Sequence, residues 1–222
     1  MLFRSIMLNP NTGSTELIEA VWPGGTSQRN KDTSANKLRA WLGRDDGGEA
    51  FFPKAYGGYC LASGVQCDLL EFNAHYQAGI RARAEGATQE AAARFEAGLA
   101  LVRGRPFAGA EPKRYGWAEP VLQQTVSEIV DSVRHLARMR MAEQDWMAAA
   151  TIAAWGMGIG PEHECLFRLR FEAVYRMGDQ IELGRLSTTL QAKLEDVGMS
   201  MEDETQELLE ELLDSRYVLH RR

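Results

Sequence analysis

The chain has 222 residues, of which 45% are hydrophobic and 25% charged, enough apolar material for one large or two small folded domains. The net charge of −6 is unevenly spread: residues 1–67 carry seven basic and six acidic side chains, and residues 68–222 carry eighteen and twenty-five. Three cysteines without metal-ligand spacing indicate a reducing compartment, and no run approaches the roughly 20 apolar residues that cross a bilayer. We therefore expect a cytoplasmic chain that makes no membrane contact.

The pattern of residues 1–67 predicts two short helices followed by a β-hairpin. The stretch TGSTELIEAVWPGG offers Ser14 or Thr15 as an N-cap and ends in Pro-Gly-Gly. The stretch DTSANKLRAWLG predicts a second helix that ends at Gly43. The stretch EAFFPKAYGGYCLASG contains two aromatic-rich runs broken at YGG, which is typical of a hairpin. Helix, turn, helix and hairpin is the order of a winged helix.

Residues 68–215 predict a succession of amphipathic helices, because apolar residues recur at i, i+3 and i+4. Asp145 and Asp179 lie in similar turn sequences 34 residues apart, the period of a tetratricopeptide (TPR) hairpin, and EGATQEAAARFEAGLAL from Glu85 is similar to an earlier copy. The expected fold is mostly α, a TPR-like solenoid of helical hairpins. A generic helical bundle is the alternative. The predicted helices are 68–85, 88–102, 117–143, 145–157, 162–177, 180–196 and 203–215, with a basic tail at 216–222.

The stretch VRGRPFAGAEPKRYGWAEP, residues 102–120, interrupts these helices with prolines, glycines and the aromatics Phe107, Tyr115 and Trp117. A disordered linker, an active-site loop and a rigid clasp between helices are all open interpretations. Burying Phe107 or Trp117 would contribute about 2 kcal/mol each, which favours an ordered clasp.

Several segments carry a family resemblance, among them LIEAVWP, NKLRAWLG, YGGYCLAS, CDLLEF, GLALVRGRPFAG, YGWAEP and MEDETQELLEELL. Over about residues 14–213 the chain resembles antibiotic-regulatory activators, which join a winged helix to a bacterial transcriptional activator domain (BTAD). It is also similar to a branch at the C-terminal end of longer actinobacterial proteins, some with LysM modules. The resemblance implies a partial winged helix-turn-helix at 1–67 and an activator domain at 68–215. Only MLFRSIMLNPN precedes the first predicted helix, so we expect a truncated winged helix.

The second predicted helix divides into an apolar and a basic face. Ala35, Leu38 and Leu42 share the apolar face and should pack on the preceding helix. Basic side chains can neutralise phosphates, and asparagine can read adenine in the major groove. An ordinary solvated helix face is the alternative. The candidate DNA-binding residues on this helix and at the hairpin tip are Arg29, Thr33, Asn36, Lys37, Arg44, Lys54 and Tyr56.

Other candidate chemistry is weak. The stretch GMGIGPEHE lacks the preceding strand and glycine spacing of a dinucleotide loop, and helix capping explains its glycines and Pro161. The four histidines are scattered, and the nearest pair, His163 and Cys165, does not make a metal site by itself. We expect no enzyme, no cofactor and no metal.

Two functions from different classes remain open. The first is a transcriptional regulator that contacts double-stranded DNA and uses its helical repeat for a homodimer or a protein partner. The second is an interaction module without a DNA role, belonging to a larger envelope-associated protein. A small ligand in the groove of the repeat is a third idea. Pairing of the basic charges at 29–44 within the protein would favour the interaction module.

Overall fold

The computed structural model describes residues 2–9, 13–54, 58–109 and 116–219, excepting the side chains of Arg4 and of residues 214–219. These residues form two compact units, Met1–Glu71 with Phe107–Gln123, and Phe72–Pro106 with Gln124–Arg222. A 3₁₀ helix, Gly116–Ala118, precedes α6. The α-helices in the described residues are α1 (Leu2–Leu8), α2 (Ser14–Val21), α3 (Gln28–Leu42), α4 (Asp68–Ala84), α5 (Thr88–Ala100), α6 (Glu119–Ala142), α7 (Trp146–Ile159), α8 (Glu164–Arg176), α9 (Gln180–Val197) and α10 (Asp203–Leu219).

The first unit contains a helix that the sequence pattern does not predict. Helix α1 places Leu2 and Ile6 one turn apart, and it packs against both α2 and α3. Seven residues are too few to form a stable helix alone, so this helix depends on tertiary burial. The buried members of the shared core are Leu2, Ile6, Leu17, Val21, Ala35, Leu38 and Phe52.

The ends of α2 and α3 correct two predicted boundaries. The N-cap of α2 is Gly13 rather than Ser14 or Thr15. Helix α3 begins before the stretch DTSANKL, because Ser27 Oγ accepts a hydrogen bond from the backbone N of Asn30 at 3.2 Å. The predicted end of this helix at Gly43 is confirmed, and its φ of 74° is a conformation that suits glycine.

The predicted β-hairpin is not confirmed. The described residues contain no strand, and Arg44 and Ala50 form an isolated antiparallel bridge. The two runs do meet, since the backbone N of Ala62 donates to Phe51 O at 2.9 Å. The predicted turn, residues 55–57, lies outside the described residues. The observed fold is therefore mostly helical.

The second unit repeats one helix-to-helix turn at three positions. Gly86, Gln144 and Gly178 end their helices in the left-handed conformation, with φ values of 76°, 61° and 78°. The latter two lie 34 residues apart, which agrees with the predicted TPR-like period. In each turn, the backbone N–H of the next residue donates a hydrogen bond to the carbonyl oxygen five positions earlier. These bonds join Ala87 N to Ala82 O, Asp145 N to Arg140 O, and Asp179 N to Val174 O, at 2.9, 2.9 and 3.2 Å.

The residue after each turn caps the next helix, with one exception. Asp145 Oδ1 accepts from Ala148 N at 3.0 Å, and Asp179 Oδ1 accepts from Glu182 N at 2.9 Å. Ala87 has similar backbone angles, φ −79° and ψ 68°, but its side chain offers no acceptor. The start of α5 therefore lacks the stabilisation that α7 and α9 receive.

Helix α8 forms the centre of the C-terminal half, because it packs against α7, α9 and α10. Close approach of helices also depends on glycine: a Cβ at Gly156 would lie 2.8 Å from Val133 Cγ1.

The seven helices predicted for 68–215 are all present, with ends within four residues of the prediction. The largest difference is at α10, which continues to Leu219 into the predicted basic tail. Residues 220–222 of that tail lie outside the described residues.

The stretch 102–120 is ordered where the structure describes it. Arg105 Nη1 donates to Ile159 O at 3.1 Å, and its guanidinium makes two further hydrogen bonds to the Glu162 carboxylate. This arginine therefore fixes the connector to the turn between α7 and α8. Burial acts to raise the pKa of Glu162, but the hydrogen bond and charge of Arg105, together with a backbone hydrogen bond and nearby His163, lower that pKa overall.

Replacing Gln144 with glycine should stabilise the protein. A non-glycine residue in the left-handed region costs roughly 1–2 kcal/mol, and glycine loses roughly 0.5–1 kcal/mol of extra backbone entropy on folding. We expect a net gain of about 0.5–1 kcal/mol in unfolding free energy, measured by urea denaturation. The reverse change at the equivalent position, Gly178→Gln, is the matched control and should destabilise. Equal effects of both changes would contradict this account.

Ala87→Asp should supply the missing cap of α5. The new carboxylate would accept from the backbone at the start of α5, as Asp145 and Asp179 do for α7 and α9. We expect a gain of about 1 kcal/mol, seen as a melting temperature about 2–4 °C higher. Ala87→Asn should give a similar gain and Ala87→Leu none. A rise with leucine would show that capping is not the cause.

Candidate nucleic-acid interface

Helix α3 is held by its apolar side. Ala35 and Leu38 are 3% and 8% exposed, and Leu42 packs against the same core. This burial confirms the predicted apolar face, and it fixes the rotation of the helix about its axis. The side chains half a turn away therefore point outward.

The structure places most predicted site residues on the surface of the first unit. Arg29, Thr33, Asn36 and Lys37 are exposed on α3, and Arg44 is exposed beyond its end. Lys54 is also exposed, whereas Tyr56 lies outside the described residues.

The exposed cations on this face lack acidic partners. Residues 13–54 are all described, and none of them forms an ion pair. Within the described part of the chain, Arg29 and Lys37 have neither a hydrogen-bond nor an ion-pair partner through their side chains. Arg44 Nη1 donates to Gly48 O at 2.6 Å, a neutral acceptor.

Two other basic residues of α3 have internal contacts. Lys31 is only 6% exposed, and its Nζ donates to Ser14 Oγ at 2.6 Å. Arg39 is half-buried: its Nε donates to Phe52 O at 3.2 Å, and its guanidinium lies 4.8 Å from the centre of the Phe52 ring. Arg39 Nη1 also donates to Asn36 Oδ1 at 3.0 Å. The positive charge available to a ligand is therefore smaller than the five basic residues between positions 26 and 44 suggest.

A cavity of about 590 Å³ lies beside α3. It brings together two predicted site residues, Asn36 and Lys54, whereas Arg29, Thr33, Lys37 and Arg44 do not line it. The cavity wall combines cationic, anionic and neutral groups. Its lining residues are Ser14, Asp32, Ala35, Asn36, Arg39, Pro53, Lys54, Gly58 and Tyr59.

The sequence analysis missed one feature of the outward face. Trp41, the single aromatic residue of α3, is 72% exposed. It follows Lys37 by four residues, so the two share a face of the helix. That spacing was the signal that could have identified it.

Two further features, a metal-ion group and a membrane-spanning helix, are absent from the described residues. No group of three or more His, Cys, Asp and Glu side chains among them could hold a metal ion. No helix in the described ranges is both long enough and apolar enough to traverse a bilayer.

The sequence profile described as "Bacterial transcriptional activator domain" matches residues 67–213, well over half of the chain. The chain belongs to the BTAD family. The match covers the helices from α4 to α9 and most of α10. No curated protein sequence matches the chain significantly.

A solved structure shares the fold of this BTAD protein. It is Mycobacterium tuberculosis EmbR in complex with a low affinity phosphopeptide, matched with a TM-score of 0.72 and 22% sequence identity. The likeness covers 96% of this chain, so it includes the first unit as well as the BTAD. The chain spans 58% of the EmbR chain.

Arg39→Ala should destabilise the first unit of the BTAD protein. The change removes the hydrogen bond to Phe52 O and the cation–π contact, which together contribute about 1–2 kcal/mol. We expect backbone amides in residues 28–54 to exchange about tenfold faster in hydrogen-exchange mass spectrometry. Arg94→Ala removes an exposed i, i+4 ion pair with Glu90 and should leave these amides unchanged. Unchanged exchange in Arg39→Ala would show that this arginine does not anchor α3.

Proposed function

We propose that the chain is a transcriptional regulator rather than an enzyme. It acts in the cytoplasm, its first unit binds double-stranded DNA, and its BTAD mediates dimerisation or binding of a protein partner. Membership of the BTAD family supports the regulatory role. The observation that carries the DNA proposal is the set of exposed, unpaired cations on and just after α3. These are Arg29, Lys37 and Arg44.

The rest of the chain gives this observation its weight. Arginines of the second unit are repeatedly paired with carboxylates, as in Arg170 with Glu182 at 2.7 Å and Arg134 with Asp131 at 2.6 Å. In these pairs of the second unit, the cation is neutralised within the fold. Cations on α3 that have no such partner are available to an external anion. Several cations spaced along a helix match the regularly spaced phosphates of a nucleic acid.

The fold of the first unit supports helix-turn-helix docking. Helix α2, the turn at 22–27 and α3 follow one another, and Arg39 of α3 donates to Phe52 O in the segment that follows. In this proposal α3 enters the major groove, with Asn36 and Thr33 near base edges and the cations at phosphates. The segment at 51–62 acts as the wing, and Lys54 and Tyr56 contact the DNA backbone.

A protein-binding role for the BTAD has its own observation. Met147 on α7 and Ile181 on α9 lie 34 residues apart, at equivalent positions of the repeat. Both are exposed, at 65% and 87%. Large apolar side chains repeated at one position of a helical repeat favour contact with a protein. If the first unit binds no DNA, an interaction module remains the better function.

Salt dependence of DNA binding tests the proposal. Fluorescence anisotropy with a mixed-sequence duplex should show affinity that falls steeply as salt rises. Lys37→Ala should reduce the slope of log K against log salt by about 0.9, and the double variant with Arg44→Ala by about twice as much. Lys193→Ala removes an exposed lysine from α9 of the second unit and should leave the slope unchanged.

The outcomes separate the two functions. Absence of binding at low salt, from a protein that is helical by circular dichroism, would contradict the regulator proposal for this chain. Binding whose slope is lowered equally by Lys37→Ala and Lys193→Ala would mean general charge attraction without a defined DNA face. A reduced slope confined to the α3 variants is the expected result.

A further inference from the structure

We propose that Trp41 is a DNA-contacting residue, and that its indole packs against deoxyribose and base edges between the phosphates bound by Lys37 and Arg44. This inference rests on the proposed function, because it assigns a new contact to the same interface. Three features of Trp41 support it: its exposure, its position between two unpaired cations, and a neighbour that holds its ring.

The exposure of Trp41 is unusual for its size. The side chain is 72% exposed, whereas Trp155, the other exposed tryptophan among the described residues, is 38% exposed. Exposing an indole to water costs free energy in proportion to its apolar surface area. A surface tryptophan therefore often marks a binding site. Tryptophan is also among the residues that contribute most when an interface covers them.

The position of Trp41 fits DNA in particular. Lys37 lies one turn before it, and Arg44 follows three residues after it. An exposed apolar ring that lies between two cations in the chain, neither of them in an ion pair, matches a duplex surface, where phosphates flank the apolar sugars and the methyl groups of thymine. The same arrangement disfavours an apolar protein partner, because burying the two cations without counter-charges would be costly.

Phe3 holds the indole from one side. The two ring centres are 5.7 Å apart at an interplanar angle of 76°, an edge-to-face contact. Phe3 lies on α1 and packs against the core of the first unit, so it is itself fixed. A ring that is partly held before binding loses little conformational entropy when DNA covers its open side.

Replacing Trp41 should affect DNA binding differently from replacing a cation, because tryptophan is uncharged. Because the indole is neutral, Trp41→Ala should weaken duplex binding about tenfold at every salt concentration without changing the salt slope. Trp41→Phe should retain part of the affinity. Trp155→Ala, at an exposed tryptophan of the second unit, is the matched control and should bind as the wild type does.

Fluorescence gives a second measurement that does not depend on truncating the side chain. The emission that is present in the wild type and absent in Trp41→Phe belongs to Trp41. Acrylamide should quench this difference emission strongly in free protein and several-fold less with saturating duplex. Thermal unfolding of each variant verifies that the first unit remains folded.

Each result bears on the inference. Wild-type affinity in Trp41→Ala, or quenching of Trp41 that duplex DNA does not change, would overturn the contact while leaving the DNA proposal standing. No DNA binding by the wild type would overturn both. Protection of Trp41 with a uniform loss of affinity and an unchanged slope is the expected outcome.

Discussion

The BTAD depends on one backbone conformation that recurs at residues 86, 144 and 178. At each position the chain leaves a helix through a left-handed residue, and the following amide bonds to the carbonyl five residues earlier. This geometry reverses the chain within three residues, so the next helix starts at once and packs on the one before. The amphipathic faces of successive helices can then meet, and α8 is buried by α7, α9 and α10. Gln144 shows that packing can hold this conformation against its intrinsic cost.

Charge is organised differently in the two units. In the second unit arginines connect neighbouring elements: Arg140 binds both Glu96 and Glu143, and Arg168 binds Glu202 and Glu204. The acidic excess of residues 68–222 is therefore partly used within the fold. In the first unit the exposed cations of α3 have no such use, although the total charge there is close to neutral. The distribution of charge, and not its sum, indicates the partner.

Regular features could be predicted from the sequence, and tertiary ones could not. The helices of the BTAD repeat an apolar period and are separated by clear turn signals, so their ends differ little from prediction. Helix α1 has neither length nor a cap, and it exists because α2 and α3 cover it. The predicted hairpin was based on aromatic residues, of which Phe52 lies in the core instead and Tyr59 packs against it. Composition alone could not distinguish these two roles.

One boundary error concerns Lys31, which lies within the basic stretch 29–44 but is not one of the candidate site residues. Starting α3 near Asp32 left Lys31 outside the predicted helix. With the Ser27 cap the helix begins at Gln28, and Lys31 falls four residues before Ala35, on the buried stripe.

The same register governs the candidate interface. With this register, Lys37 and Trp41 lie one turn apart and are both exposed, whereas Lys31 is buried. Arg39 lies between the two faces and ties α3 to Phe52. The rotation of α3 about its axis therefore determines both the core and the candidate interface, so a substitution that moves α3 alters both. Only changes on the outward face, away from Arg39, can separate binding from stability.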